Sequence, residues 1–203
     1  MITFQKIRWK NFLSTGDHFS EIDFIKNGTN LIVGTNGTGK STVLDALTFS
    51  LFNKPFRKIN KSQLINATNE KDCLVEVEFN INGKQYLVRR SIKPNLFEIE
   101  VDGQKMHKQS DDRAMQKILE ENILKVNYKS FTQIVILGSS AFVPFMQLSG
   151  TNRREVIEDL LDIRIFSAMN SIIKDKIRKQ KEEIQVLDLK KDNVKDKLQM
   201  QEK

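Results

Sequence analysis

Along the first hundred residues, apolar positions recur mostly every second residue, the spacing of half-buried strands. Ile2, Phe4 and Ile7, then Trp9 to Phe12, predict one strand, and Phe19 to Ile25 predict a second. Asn30 to Val33, entered through a turn at Asn27-Gly28, predict a third. The period then changes: Val43, Leu44, Leu47, Leu51 and Phe52 fall at helical spacing from Lys40 to about Asn53, before Pro55. Period two returns in Cys73 to Ile81, Gln85 to Ile92 and Leu96 to Val101, with Asn82-Gly83 and Asp102-Gly103 as the reversals of an antiparallel meander. A helix over about Asp111 to Leu124 follows. The uncharged stretch Ser130 to Asn152 contains a continuously apolar run, Ile134 to Leu137, which reads as a buried strand. That run is far short of the ~20 residues of a membrane-spanning helix.

Beyond Thr151 the pattern changes again. From Asn152 to Lys203 there is no Pro and no Gly, and charged residues dominate. Phe166, Ile173, Ile177, Ile184, Leu187, Val194 and Leu198 fall on alternating three- and four-residue steps, interrupted by Asn170, Gln180, Lys191 and Gln201. This predicts a coiled-coil helix whose apolar seam needs a partner. The alternative, one amphipathic helix lying on the globular part, is awkward for a rod of ~75 Å. Asn152 followed by Glu155 reads as its cap and reciprocal acidic partner. The chain therefore divides into a lobe, residues 1–151, and the start of an antiparallel coiled coil, residues 152–203, with the returning strand and a C-terminal lobe expected from elsewhere.

Between Leu31-Ile32-Val33 and the first helix lies Gly34-Thr35-Asn36-Gly37-Thr38-Gly39-Lys40-Ser41-Thr42, a complete G-x-x-x-x-G-K-S phosphate-binding pattern. Its glycines let successive N–H groups turn toward one anion, and the following helix adds its unpaired N–H groups and positive dipole end. Gly34, Asn36, Gly37, Thr38, Gly39, Lys40, Ser41 and Thr42 are the expected ATP-binding residues. Lys40 would stabilise phosphate charge, and the Ser41 hydroxyl would ligate Mg²⁺. A glycine-rich turn without a ligand is the bland alternative, and the filled motif in its strand–loop–helix context argues against it. A second acidic metal motif, an apolar strand ending in aspartate, is missing: Ile134 to Leu137 runs into Gly138. The sequence supplies half of an active site, so the chain alone should turn over little ATP.

Charge points to a polyanionic partner. The 203 residues carry 33 Lys and Arg against 26 Asp and Glu, a net charge of +7, and residues 1–150 hold 20 basic and 15 acidic groups. Arg57, Lys58, Lys61, Arg89 and Arg90 are the candidate DNA contacts, gripping phosphates without reading bases. The competing reading places Arg57 and Lys58 at the nucleotide. A single cysteine, Cys73, rules out an internal disulfide and suits a reducing cytoplasm. His18 and His107 lack ligand-like neighbours, and the N-terminus lacks a signal-peptide pattern.

Lys10-Asn11-Phe12-Leu13-Ser14, Asn36 through Ala46, and Phe131-Thr132-Gln133-Ile134-Val135-Ile136-Leu137 through Arg153-Arg154-Glu155-Val156-Ile157-Glu158-Asp159-Leu160-Leu161 together resemble the N-terminal half of an SMC-type ATPase. This is the architecture of structural-maintenance-of-chromosomes proteins and of SbcC-like (Rad-type) repair ATPases. Asn53-Lys54-Pro55-Phe56-Arg57 and Leu64-Ile65-Asn66-Ala67-Thr68-Asn69 look particularly like the phage branch, the large ATPase subunits of T-even-type recombination endonucleases. The resemblance implies an α/β P-loop NTPase fold, the N-terminal lobe of an ABC-type head, with a meander and an emerging coiled coil. It implies ATP sandwiched between two copies of the head, completion by the C-terminal half, a phosphoesterase-type nuclease partner near Ile157 to Ile173, and DNA bound without sequence preference in a host cytoplasm. Two positions depart from the family pattern. Ser139-Ser140 stand where its Gln-Gly pair is expected, making Ser139 the Q-loop candidate, and Leu13 replaces an arginine. Leu148-Ser149-Gly150 is similar to the start of the family signature, but Thr151 breaks it. A chromosome organiser without a nuclease shares this fold, and a non-catalytic nucleotide-binding coiled-coil scaffold is the reading from another class.

Overall fold

The computed structural model describes residues 2–26, 28–106, 111–136, 145–161 and 163–201. Within them the period-two segments become strands: β1 (Ile2–Lys10), β2 (Ser20–Asp23), β3 (Cys73–Ile81), β4 (Lys84–Ile92), β5 (Leu96–Val101) and β6 (Gln104–Lys105). They form one sheet in the order β2-β1-β3-β4-β5-β6, with every pair antiparallel. The predicted meander is therefore present. Both predicted reversals have positive φ at two successive residues, Asn82-Gly83 and Asp102-Gly103, the geometry that matches strand twist.

Register gives the sheet two chemically distinct faces. Ile7, Val77, Val88 and Ile99 are directly opposed across four strands and are all buried. One residue along, Glu21, Arg8, Glu76, Arg89 and Glu98 form a row of alternating charge. Each cation in that row has an acid on both sides, which stabilises the pairing without an apolar surface.

The apolar face carries α1 (Thr42–Phe52), the helix after the glycine loop. Its Val43, Ala46, Leu47, Phe49, Leu51 and Phe52 are all buried, so the helix is enclosed rather than amphipathic. Asn53, left-handed at φ 57°, ends it and donates its N–H to the Phe49 carbonyl. Phe131, from α3 (Tyr128–Ile134), packs between Phe52 and Phe4, with ring centroids 5.1 and 6.0 Å away. Preceding α3 is α2 (Asp112–Lys117), capped by Asp111, which runs into a π-helical turn over 118–124. The chain ends in α4 (Gly150–Leu160) and α5 (Arg164–Gln201). Residues 1–156 and 157–203 form two compact units.

Three expectations are corrected. Asn30 to Val33 is not a strand: it pairs with none of the described strands, and Leu31 and Val33 are 87% and 81% exposed. An extended segment becomes a strand only when a neighbour takes its N–H and C=O groups. Ile134 is the last residue of α3, and Val135 and Ile136 follow it outside any strand; Leu137 lies outside the described residues. Asn127 accepts the Ser130 N–H and starts a helix there, and Ile134 and Val135 are exposed while Ile136 is buried. The predicted helix from Asn152 begins earlier and is divided. Ser149 Oγ accepts the Asn152 N–H at 3.3 Å as the cap, and the chain leaves helical geometry between α4 and α5. Asn152 and Glu155 instead accept hydrogen bonds from Lys129 Nζ at 2.6 and 2.8 Å. Among the described residues no helix is long and apolar enough to cross a membrane.

Candidate functional site

The loop before α1 has the backbone its glycines predict. Gly37 and Gly39 have φ of 91° and 89°, where a side chain would be strained. At Gly34 a Cβ would meet Thr38 Oγ1 at 2.6 Å, so a side chain there would have to displace that hydroxyl. That hydroxyl donates to the Thr35 carbonyl at 2.8 Å, bracing the loop from behind. Lys40 folds back across it, its Nζ donating to the carbonyls of Gly34 and Thr35 at 2.7 and 2.8 Å. Ser41 is the N-cap residue of α1, yet its side chain makes no capping hydrogen bond. Thr42 is buried and its N–H reaches the Gly39 carbonyl.

Asn36, Gly37, Gly39, Lys40, Ser41 and Thr42 line one pocket of about 500 Å³. Gly34 and Thr38 shape the loop without lining it. The opposite wall is Leu13, Ser14, Gln63, Ile65 and Ala67, joined by Arg57. Two loops form this wall and are tied together by amides. Leu13 N–H donates to the Leu64 carbonyl, and Asn66 Nδ2 donates to the carbonyls of Leu13 and Thr15 at 3.0 and 3.1 Å. Asn69 Nδ2 donates to Asn11 Oδ1 at 2.6 Å, while Asn66 Oδ1 accepts the N–H groups of Thr68 and Asn69. Asn11 and Leu13 are both held at positive φ, 49° and 54°, and the network over-determines that strained geometry. The motifs around Phe12 and Asn66 are in the sequence, but their meeting at one pocket is not.

The five candidate DNA cations separate. Arg57 is bound to Asp45, a fully buried carboxylate inside α1: Nη2 and Nε lie 2.6 Å from Oδ2, and the Arg57 N–H reaches Oδ1 at 2.9 Å. Arg89 is engaged by Glu76 at 2.8 Å and Glu100 at 2.5 Å on the charged sheet face. Arg90 is 4% exposed, so it cannot grip a DNA backbone where it stands; that candidate is withdrawn. Lys58 and Lys61 remain exposed, with Lys61 Nζ 5.8 Å from the Phe49 ring centroid. Partial burial, with the Arg90 charge second, holds the Lys61 ammonium below its ordinary pKa. Ser139, the Q-loop candidate, and His107 lie outside the described residues.

A family model described as an AAA domain matches residues 6–203. "Exonuclease subunit 2" of Escherichia phage RB69 is 43% identical over 189 residues, covering 93% of this chain and 34% of the relative. The "DNA double-strand break repair Rad50 ATPase" of Thermoplasma volcanium is 28% identical over 179 residues, 85% of this chain and 19% of that protein. The chain thus spans about a third of the phage relative's length and less of the archaeal one. Among solved structures, the Smc head domain with an extended coiled coil from Pyrococcus furiosus superposes with a TM-score of 0.65 at 24% identity, covering 97% of this chain and 51% of that one. The α/β P-loop head fold is shared.

Proposed function

This chain belongs to the AAA-domain family, and we propose that it is the ATP-binding N-terminal part of an ATP-driven machine that processes DNA ends in recombination and repair. The observation that carries the reading is the glycine loop with Lys40 arched across it at the mouth of a 500 Å³ pocket. Lys40 holds its ammonium on carbonyl oxygens that phosphate oxygens can replace, and the loop N–H groups and the α1 N-terminus add donors for the same anion. The Ser41 hydroxyl, free of capping, is the Mg²⁺ ligand this chain offers. When bound, the ion neutralises phosphate charge and orients the phosphate chain.

The relatives' names supply the context: an exonuclease subunit and a double-strand-break repair ATPase. By analogy, two heads close on ATP, and their opening after hydrolysis regulates a phosphoesterase-type nuclease working on DNA of any sequence. The γ-phosphate contacts both heads, so its loss shifts the population toward the open state. Fold likeness to an Smc head favours, as a second reading, a chromosome organiser with no nuclease.

ATP turnover tests the proposal. The chain alone should hydrolyse ATP slowly and gain turnover when mixed with the C-terminal part of its full-length protein; Lys40→Ala should abolish that gain. Rapid turnover by residues 1–203 alone would show that the site is complete, contrary to the proposal. Co-purification of the completed head with a nuclease decides between the two readings.

A further inference from the structure

We infer that Arg90 and Gln116 form a clamp on the C-terminal turn of α1 that positions the phosphate loop at its other end, an inference that rests on the nucleotide reading above. The last carbonyls of a helix have no partner within it. In α1 the Phe49 carbonyl takes the Asn53 N–H, and side chains from two distant elements take the next two. Arg90 Nε, from β4, donates to the Ser50 carbonyl at 3.0 Å, and Gln116 Nε2, from α2, donates to the Leu51 carbonyl at 2.9 Å. The two are bonded to each other, Arg90 Nη2 donating to Gln116 Oε1 at 2.6 Å. Gln116 Nε2 also reaches Glu120 Oε1 at 2.7 Å, at the π-helical turn.

Strand alternation explains why adjacent arginines differ. Arg89 faces the charged side of the sheet, whereas Arg90 opposes Val75 and Phe97 on the core side. Its guanidinium carbon stands 3.7 Å from the Phe97 ring centroid. Burial of a cation in an otherwise apolar row is unfavourable by itself and pushes the group's pKa down to about 9, opposed by Asp112 and then Glu120. The placement is compensated by what it reaches: the negative end of the α1 dipole, the Ser50 carbonyl and the Gln116 amide oxygen. Helix α1 is 11 residues long and buried along its length, so it transmits a displacement from one end to the other. Its other end carries Ser41, Thr42 and the glycine loop. The clamp fixes the depth of that helix against the sheet, making Arg90 and Gln116 positioning residues for the phosphates.

The test is calorimetric titration of ATP–Mg²⁺ into this chain, alongside Arg90→Met, Arg90→Lys, Gln116→Leu and the Arg90→Met/Gln116→Leu double variant. Val88→Ala, two residues from Arg90 on the same core face but bonded to neither clamp residue, is the control with lowered thermal stability. Each clamp single should weaken ATP binding about tenfold, and the double should be little worse than either because both act through one turn. Arg90→Lys, keeping charge and a donor, should recover about half of that loss on a logarithmic scale. Val88→Ala should melt earlier but bind within about twofold of the parent. Amide hydrogen exchange across α1 should rise in the clamp variants and not in the control. Gln116, half-buried at the periphery, keeps the test available if Arg90→Met fails to fold. Folded Gln116→Leu protein with unchanged affinity and unchanged α1 exchange overturns the clamp. Equal affinity loss in Val88→Ala also overturns it, because loss of stability would then explain the effect. If Lys40→Ala leaves ATP affinity unaltered, the nucleotide reading is the one that fails, and α1 exchange still decides whether the clamp exists.

Discussion

Asp45 has 0% exposure inside α1, and its partner Arg57 lies at the pocket wall with its side chain 45% exposed, so the two halves of this pair are not equivalent. Arg57→Met strands a buried carboxylate and should destabilise by about 2–4 kcal/mol. Asp45→Asn leaves a cation that can turn to water and should cost about 1 kcal/mol. Urea unfolding of both variants checks the asymmetry; equal losses would mean the pair contributes through shape alone. Cys73 offers a pH test. Burial pushes its thiol up to about 12 from an ordinary value of 9.0. Between those values the unfolded chain has lost a proton that the folded chain keeps, so stability falls as pH rises. The slope from this group approaches about 1.4 kcal/mol per unit within that window. Cys73→Ala should flatten the fall between pH 9 and 10.5 relative to the parent, as read from thermal melts. At this scale the phosphate loop was legible because its chemistry is contiguous. Asn11, Asn66 and Asn69 were not, since their bonds join residues more than fifty positions apart and amides carry no periodic signal.

Among the elements, the meander was readable because alternation and two turn dipeptides specify the same register, and α1 because helical spacing begins where the glycine loop ends. The failures at Asn30 to Val33 and, within the described residues, Ile134 to Ile136 share a cause. A run of three apolar residues has no period of its own, and its state is set by neighbours: Asn127 and Phe131 make Ile134, at the head of the second, the last residue of a helix. The first lacks a pairing neighbour among the described residues and keeps Leu31 and Val33 in solvent. Helix α5 carries a comparable deficit. Ile173, Ile177, Ile184, Leu187 and Val194 repeat along it at coiled-coil spacing and are all exposed. Its helicity should therefore rise with protein concentration, or on addition of a matching returning helix, as measured by circular dichroism at 222 nm. Full helicity in a dilute monomer would show that α5 needs no partner.

For the molecule as a whole, the question is where a net charge of +7 can meet a polyanion. The outer sheet face does not present a positive field, because Arg8 and Arg89 alternate there with Glu21, Glu76 and Glu98 and are bonded to acids. Burial removes Arg90, and Asp45 holds Arg57 at the wall of the glycine-loop pocket. Of the five candidate cations, Lys58 and Lys61 are left, both exposed and three positions apart in the stretch after α1. If these two meet DNA phosphates, each contributes about 0.9 to the slope of log affinity against log salt. Lys58→Ala/Lys61→Ala should then lower that slope by about 2, weaken binding equally for duplexes of unrelated sequence, and leave ATP affinity unchanged. Arg89→Ala should lower stability through Glu76 and Glu100 while leaving the salt slope in place. Fluorescence anisotropy across a salt series reads both variants. An unchanged slope in the double lysine variant, together with lost ATP binding, would assign those lysines to the nucleotide and move the DNA surface elsewhere.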